Sequence, residues 1–169
     1  AMKACADAGK PFIVLDRPNP LGGEKMEGNM PDPRFASFVG LLPIPVLHGM
    51  TAGELARYFN STQAWGADLR VIPLAGWKRS MRFDQTGLPW VMPSPNMPTL
   101  DTATVYGGMC LLEATNISEG RGTTRPFEIV GAPYINGDDL AAAMNKKRLS
   151  GVVFRPVQFR PTFNKWVRQ

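Results

Sequence analysis

Four short polar segments contain the residue types that enzymes use for acid–base chemistry and for binding anions or sugars. The first begins with Asp16, directly after the apolar run 12–15, and continues through Arg17 to Asn19, which stands between two prolines. A carboxylate accepts hydroxyl protons, a guanidinium holds an anion, and an amide can do either. Polar side chains beyond the carboxyl end of a parallel strand are well placed for a ligand. The alternative is a structural ion pair in a turn that proline stiffens.

His48 is the single histidine of the chain and stands just before a helix that Thr51 and Glu54 are predicted to begin. Histidine can act as a general acid or base, or its neutral ring can donate a hydrogen bond to a sugar oxygen. The positive end of the predicted helix favours the neutral ring and attracts a carboxylate. A purely structural histidine is an equally good interpretation.

Tryptophan, serine and asparagine recur in an irregular stretch between residues 75 and 99. Trp77 precedes Arg79 by two positions, and Trp90 precedes Ser94 and Asn96 in a proline-rich run. Tryptophan stacks on the apolar faces of sugar rings, while serine and asparagine in stiff turns can fix hydroxyl groups. Either tryptophan alone is more typical of a hydrophobic core. The pair beside Ser94 and Asn96 favours a sugar-binding interpretation.

Segment 113–124 predicts a small anion-binding loop. Gly120 and Gly122 permit backbone conformations with positive φ that aim successive amide groups at an anion. Arg121 stands between them, and Thr123 adds a hydroxyl group. The spacing of the nucleotide-binding glycine motifs is absent, so the segment does not specifically indicate a nucleotide phosphate.

Two glutamates of the same segment suggest glycoside hydrolysis, because such enzymes normally need one carboxyl group as an acid and another as a base or nucleophile. Glu119 lies on the glycine-rich turn and is the better candidate for catalysis. Glu113 ends an apolar run, where a paired structural role is favoured.

An alternation of helices and buried strands is predicted to position these segments. Such an alternation favours a mostly parallel α/β sheet, with the final part of the chain in a second, smaller subdomain. Pro156 lies inside the last predicted strand, which is therefore expected at an edge or a bulge. The predicted helices are 2–8, 51–63, 100–106 and 137–147, and the predicted strands are 12–15, 69–74, 109–114, 127–130 and 152–159.

The composition is that of a globular domain, with 169 residues, 44% of them hydrophobic and 20% charged. No apolar run approaches the roughly 20 residues that cross a membrane, and the net charge of +5 is scattered rather than gathered in a nucleic-acid-binding tail. Cys5 and Cys110 stand outside any metal-ligand spacing and predict buried thiols rather than a disulfide. We therefore expect no metal, no cofactor, no membrane span and no nucleic-acid partner.

The start of the chain predicts a sheet that is incomplete on its N-terminal side. The end of a helix is followed at once by a buried strand of the parallel type, which requires an earlier strand and the rest of a crossover helix. The last residues carry no glycine or proline stop signal. We therefore expect the fold to continue beyond both ends.

Taken in order, the polar segments resemble the DUF1343 family of NamZ-type exo-β-N-acetylmuramidases from about residue 12 to residue 163. The resemblance implies a Rossmann-like α/β domain with a smaller auxiliary α+β subdomain and a cleft between them. We predict that residues 1–125 belong to the first and residues 126–169 to the second. The matching motifs are Asp16-Arg17-Pro18-Asn19-Pro20, Ser37-Phe38-Val39-Gly40, His48-Gly49-Met50-Thr51 with Gly53-Glu54-Leu55-Ala56, Ser94-Pro95-Asn96-Met97-Pro98 and Ser118-Glu119-Gly120-Arg121-Gly122-Thr123.

The resemblance also implies an activity, the release of N-acetylmuramic acid from the non-reducing end of peptidoglycan fragments in the periplasm or outside the cell. Family members carry a Glu-His-Gly motif before the first strand, and its glutamate is the main catalytic candidate. This chain has no such motif, so we predict that it is inactive alone and that Glu119 and His48 assist the missing group. The predicted substrate-binding residues are Asp16, Arg17, Asn19, Trp77, Arg79, Ser94, Asn96, Arg121 and Thr123.

Two other functions use the same residues. A non-catalytic module would bind peptidoglycan or another anionic glycan through its tryptophans and arginines, with no turnover. A nucleotide-dependent Rossmann enzyme would need a phosphate-binding motif after a strand, and the sequence has none.

Overall fold

A computed structural model describes residues 1–167, and its contacts divide the chain into two compact units, Ala1–Pro89 and Trp90–Gln169. Both β-strands of the described residues lie in the first unit, and the described part of the second contains helices, turns and an isolated bridge between Ser118 and Gly131. No helix in this part of the chain is both long and apolar enough to cross a membrane. The division predicted at residues 125 and 126 concerns the domains of a larger fold and stays a prediction.

A parallel pair of strands forms the centre of the first unit. Strand β1 (Phe12–Leu15) pairs with β2 (Leu69–Ile72), with Phe12 opposite Leu69 and Leu15 opposite Ile72. The predicted extension of the second strand to Leu74 is wrong, since Pro73 has no N–H group to continue the ladder. Parallel strands joined through a helix confirm the predicted α/β class.

Helices α1 (Met2–Asp7) and α2 (Ala52–Thr62) supply the hydrophobic core of the first unit. Side chains alternate along each strand, so one face of the sheet packs against this core and the other carries exposed apolar residues. The core is formed by Met2, Ala56 and Ala67, with Ala6, Phe12, Val14, Phe59, Trp65 and Leu69 packed around them.

The start of α2 confirms the predicted capping box. The Thr51 hydroxyl accepts the Glu54 N–H at 3.2 Å, and the Glu54 carboxylate accepts the Thr51 N–H at 3.0 Å. In the first turn, Gly53 lies so close to the sheet that an added Cβ would be 2.5 Å from a methyl carbon of Val71. The helix therefore starts in contact with β2, directly beside the carboxyl end of β1.

The second unit contains α3 (Leu100–Met109) and α4 (Gly137–Asn145). α3 runs through Gly107 and Gly108, where the sequence predicted a break, and continues as a 3-10 helix at Cys110–Ala114. The strand predicted at 109–114 is therefore wrong. A short apolar run has no periodicity that distinguishes a strand from a helix, and here the preceding helix extends into it.

Two further strand predictions are also wrong. At 127–130 the chain turns, because Phe127 has a φ of 64° and the Glu128 N–H bonds back to the Arg125 carbonyl. Residues 152–159 form no ladder with any described residue. α4 ends two residues before its predicted end, and Arg148 then adopts a φ of 50° that no helix continues.

Phe127 is the centre of the second unit and is 1% exposed. Tyr106 of α3 meets its ring edge-on at a centroid distance of 4.8 Å, and the Arg121 guanidinium lies 4.9 Å from its centroid. Both cysteines are free and half-buried, and burial raises the pKa of the Cys110 thiol. This core brings α3 against the glycine-rich segment that the sequence singled out.

Candidate functional site

Asp16 follows β1 and is bonded to the start of α2. Its Oδ1 accepts the N–H groups of Gly53 at 2.7 Å and of Arg17 at 2.8 Å, and its Oδ2 accepts the Thr51 hydroxyl at 3.0 Å. An anion is stabilised at this position because the N–H groups at a helix start point toward it. Asp16 therefore anchors the loop that follows β1, while the exposed Arg17 side chain bonds to no described residue.

Asn19 connects the same loop to the segment around His48. It is 9% exposed, its Nδ2 donates to the Met50 carbonyl at 3.2 Å, and its Oδ1 accepts the Leu21 N–H at 3.0 Å. The amide group thus uses both its donor and its acceptor within the unit. Its predicted contact with a substrate stays a prediction.

His48 is half-buried, and its Nδ1 accepts the N–H of Met50 at 3.1 Å. Burial lowers the pKa of the His48 imidazole below its usual range. The sequence predicted a neutral ring because of the nearby helix start, whereas desolvation is the cause that the structure gives.

Arg79 links three segments of the first unit. Its Nη1 donates to the carbonyl oxygens of Gly23 at 3.3 Å and Gly49 at 3.2 Å, and its Nη2 forms an ion pair with Glu54. The other Glu54 oxygen accepts the Thr51 N–H, so the arginine is also joined to the helix start. We call the loops 16–23, 47–51 and 77–79, together with the start of α2, the loop cluster.

Trp77 is half-buried and packs against the loop cluster. A Cβ added to Gly23 would be 2.9 Å from the tryptophan ring, 3.1 Å from Arg79 and 3.1 Å from the Gly49 carbonyl, so a larger residue there would displace these neighbours. The indole N–H of Trp77 is buried without a partner among the described residues. Stacking of this ring on a sugar stays a prediction.

Ser94 and Asn96 lie in a turn of the second unit. The Met97 N–H donates to the Ser94 carbonyl at 2.9 Å, and the indole N–H of Trp90 donates to the Met97 carbonyl at 3.3 Å. Ser94 is exposed and Asn96 half-buried. Their predicted role in fixing sugar hydroxyls remains a prediction.

Glu119 is 1% exposed and ion-paired on both carboxylate oxygens. Oε2 accepts from Lys165 at 2.9 Å, while Oε1 accepts from Asn164 at 3.1 Å and lies 3.3 Å from Arg121 Nε. Buried carboxylates persist where opposite charges and hydrogen bonds satisfy them, as they do here. A catalytic role for Glu119 stays a prediction, and its burial favours a structural one.

Lys165 also lies within hydrogen-bond distance of three backbone oxygens, which share the N–H groups that Glu119 leaves. Its ammonium group donates to the carbonyls of Leu112, Glu113 and Ile117 at 3.0 to 3.1 Å, besides the Glu119 carboxylate. The lysine therefore joins the C-terminal segment to both ends of segment 112–119. We call Glu119, Arg121, Asn164 and Lys165 the buried charge network.

The glycine-rich loop uses its predicted anion-binding groups internally. Arg121 Nη2 lies 2.5 Å from Glu113, whose pairing agrees with the structural role predicted for it. The Thr123 hydroxyl donates to the Gly120 carbonyl at 2.6 Å. Gly122 has a φ of 83°, and a Cβ there would be 2.7 Å from the Phe163 backbone.

Thr123 also lines a cavity of about 460 Å³ together with Arg125 and Arg160. Arg125 is ion-paired with Glu128 at 3.0 Å, so Arg160 is the guanidinium of this cavity that suits an anionic ligand. Binding of substrate by Arg121 and Thr123 stays a prediction.

The structure thus joins Asp16, Asn19, His48 and Arg79 in the loop cluster, and Arg121 with Glu119 in the buried charge network. Sequence reasoning missed the second role of Glu54, which it recognised only as a helix cap. It also missed Lys165, which has no local motif and lies 46 residues from Glu119. No pattern of neighbouring residues indicates a pair so far apart.

Comparisons with known proteins give the family. The family model of the N-terminal part of exo-β-N-acetylmuramidase NamZ matches residues 1–101, and that of its C-terminal part matches residues 104–169. The peptidoglycan β-N-acetylmuramidase NamZ of Bacillus subtilis is 55% identical over 165 residues, which are 98% of this chain and 40% of that protein.

Two crystal structures of DUF1343 family proteins from Bacteroides fragilis share the fold. The first has a TM-score of 0.87 and 42% sequence identity, and the match covers 99% of this chain and 45% of that protein. The second has a TM-score of 0.71 and 40% sequence identity, and the match covers 80% of this chain and 38% of that protein. The chain therefore spans less than half the length of each of these relatives. The two family models together cover nearly all of the sequence, and this chain belongs to the NamZ family.

Proposed function

We propose that this chain is part of an exo-β-N-acetylmuramidase that releases N-acetylmuramic acid from the non-reducing end of peptidoglycan fragments. The observation that carries the proposal is the 55% identity to the Bacillus subtilis peptidoglycan β-N-acetylmuramidase over 98% of this chain. The matched stretch includes every residue of the loop cluster. Because peptidoglycan lies outside the cytoplasmic membrane, the proposed site of action is the periplasm or the exterior of the cell.

The loop cluster supports this proposal through its position and its free groups. It lies at the carboxyl ends of two parallel strands, where α/β folds bind their ligands. His48 offers a ring nitrogen and Arg17 an exposed guanidinium. A sugar that bears a lactyl carboxylate presents matching acceptors, and guanidinium groups form strong hydrogen bonds with carboxylates.

A second part of the proposal is that the principal catalytic acid lies outside these 169 residues, because the chain covers 40% of the Bacillus subtilis relative and three carboxylates of its candidate sites are already bonded within the protein. Asp16 is bonded to the start of α2, Glu54 to Arg79, and Glu119 to Lys165. A glycosidase needs carboxyl groups that reach the scissile bond. The 169-residue chain alone is therefore expected to have no turnover.

A second candidate function is a non-catalytic module that binds anionic glycan. A binding module is favoured by the same observation, that Asp16, Glu54 and Glu119 are bonded to other groups of the protein. The two functions differ in turnover, since a binding module retains muramic-acid saccharides without cleaving them.

The test replaces the matching segment of the Bacillus subtilis relative by these 169 residues and measures release of N-acetylmuramic acid from a chromogenic β-muramide. The unmodified relative and the 169-residue chain alone are assayed beside this chimera. Release by the chimera but not by the chain alone supports both parts of the proposal. A folded chimera that binds a muramic-acid disaccharide without cleaving it supports the binding module instead.

A further inference from the structure

The hydrogen bond between His48 and Met50 fixes which ring nitrogen carries the proton. Nδ1 accepts the Met50 N–H at 3.1 Å, and a nitrogen that accepts a hydrogen bond has no proton of its own. The proton of the neutral ring therefore lies on Nε2. Nε2 bonds to no described residue, and the ring is half-buried rather than enclosed, so this nitrogen keeps a donor for a ligand.

The segment that carries His48 is held on both sides. The Met50 carbonyl accepts from Asn19, and the Gly49 carbonyl accepts from Arg79. A Cβ on Gly49 would be 3.0 Å from the Lys25 carbonyl, so the backbone packs closely here as well. Directly before His48, the Leu47 N–H and carbonyl pair with the backbone of Glu27. The ring is therefore carried by a backbone that is fixed on both sides of it.

Protonation of His48 would remove this arrangement. A proton on Nδ1 would replace the acceptor by a donor facing the Met50 N–H, and the hydrogen bond would be lost. Burial opposes the charged ring as well, since it lowers the pKa of the imidazole. A general acid or base must gain and lose a proton in each turnover, which the loop cluster disfavours at this position.

We propose that His48 is a fixed hydrogen-bond donor, whose Nε2–H binds an oxygen atom of the sugar substrate without transferring its proton. Arg79 is its positioning residue, because the guanidinium holds the Gly49 carbonyl beside it. The inference rests on the proposed muramidase function and assigns the role of one residue within it.

Two substitutions separate the role of the Nε2 donor from the role of Nδ1, which accepts the Met50 N–H. The amide nitrogen of glutamine occupies nearly the place of Nε2, so His48→Gln keeps a donor there. The amide oxygen of asparagine occupies nearly the place of Nδ1, so His48→Asn keeps an acceptor for the Met50 N–H and loses the donor. Both are made in the active chimera, and kcat/KM for the chromogenic muramide is measured from pH 5 to pH 9.

The expected result is that His48→Gln retains kcat/KM within about fivefold with an unchanged pH profile, while His48→Asn loses about tenfold or more, the usual cost of one hydrogen bond. Equal large losses in both variants, with a limb of the pH profile abolished, would overturn the inference and indicate proton transfer. Full activity in both would also overturn it. If His48→Asn does not fold, His48→Met, which also lacks the donor, takes its place. An inactive unaltered chimera would instead refute the proposed function, and the inference with it.

Discussion

The loop cluster of the first unit and the buried charge network of the second both join loops that are distant in sequence, yet they use charge differently. In the loop cluster the Arg79–Glu54 pair is partly exposed, with 53% and 30% of the side chains accessible, and it holds backbone segments around His48. In the buried charge network the Glu119 carboxylate is itself interior and is surrounded by Lys165 and Arg121. The first network fixes the backbone beside a half-buried histidine, whereas the second encloses the carboxylate that it pairs.

This difference predicts where a substitution changes stability and where it changes activity. A partly exposed ion pair contributes little to the free energy of unfolding because water screens it. A buried charge that loses its partner costs several kcal/mol because it cannot be rehydrated. Substitutions in the second unit should therefore act mainly on folding, and those in the loop cluster mainly on function.

The largest effect is expected for Lys165→Met. The substitution leaves the buried Glu119 carboxylate with only the more distant Arg121 as a charged partner. It also removes a donor from the carbonyls of Leu112, Glu113 and Ile117, of which Leu112 keeps its bonds from Thr115. Loss of one partner of a buried pair typically lowers the free energy of unfolding by about 3 to 5 kcal/mol. Urea denaturation measures the change.

The matched control for Lys165→Met is Lys147→Met, which removes the same charge from an exposed position. It should change the free energy of unfolding by no more than about 0.5 kcal/mol. A loss below about 1 kcal/mol for Lys165→Met would show that the Glu119–Lys165 pair does not stabilise this unit, and would favour a catalytic role for Glu119.

Gly53→Ala should have the next largest effect. The new methyl group would lie 2.5 Å from Val71 and 2.9 Å from the Asp16 carboxyl carbon, so α2 must move away from the strands. Overpacking of this kind costs about 1 to 3 kcal/mol. Thermal unfolding followed by circular dichroism gives the shift in Tm.

Gly108→Ala is the matched control for Gly53→Ala, because it places the same methyl group in a helix, α3, where nothing lies within 4 Å of it. There the same change should raise the free energy of unfolding by about 0.5 to 1 kcal/mol, because alanine loses less backbone entropy in a helix. Equal effects of the two alanines would contradict the close approach of Gly53 to the sheet.

Arg79→Met tests whether the loop cluster is organised for function. Because the ion pair is partly exposed, the free energy of unfolding should fall by about 1 kcal/mol or less. The loops of Gly23 and Gly49 would lose their common donor, so kcat/KM of the active chimera should fall by more than the change in stability explains. A proportionate fall in both quantities would leave Arg79 with a structural role only.

The smallest effect concerns pH. Burial lowers the pKa of His48 below its usual 6.5, so just below that pH the unfolded chain binds more protons than the folded one. The free energy of unfolding should therefore rise with pH up to about 6.5 and decline as the pH falls below it. His48→Gln should remove this part of the slope. The measurement is urea denaturation of the unaltered chain and of His48→Gln at several pH values. The same pH dependence of the free energy of unfolding in both would refute this prediction.

Local signals in the sequence determined several elements correctly. α2 followed from Thr51 and Glu54, which cap its first turn with side chains three residues apart. Strand 12–15 and the first four residues of the strand predicted at 69–74 followed from short runs of apolar and β-branched residues. The short polar motifs from Asp16 to Thr123 also identified the family. Each motif is short, but their order along the chain is specific.

Short apolar runs were the least informative part of the sequence. Residues 109–114 and 127–130 were predicted as strands, but the first continues a helix and the second turns at Phe127. Which state such a run adopts depends on its neighbours in space. Phe127 is buried against Tyr106 and Arg121, and that packing stabilises its positive φ.

The sequence by itself determined the types of the polar groups and the capped helix, which depend on residues only a few positions apart, and the family, which depends on the order of short motifs along the chain. Only the tertiary structure decided what the polar groups do. Arg79 reaches Glu54 across 25 residues and Gly23 across 56, and Lys165 reaches Glu119 across 46. Contacts at such separations arise when the core forms and brings distant loops together. For this reason Arg79, which was predicted to bind substrate, and Glu119, which was predicted to assist catalysis, are bonded to other groups of the protein.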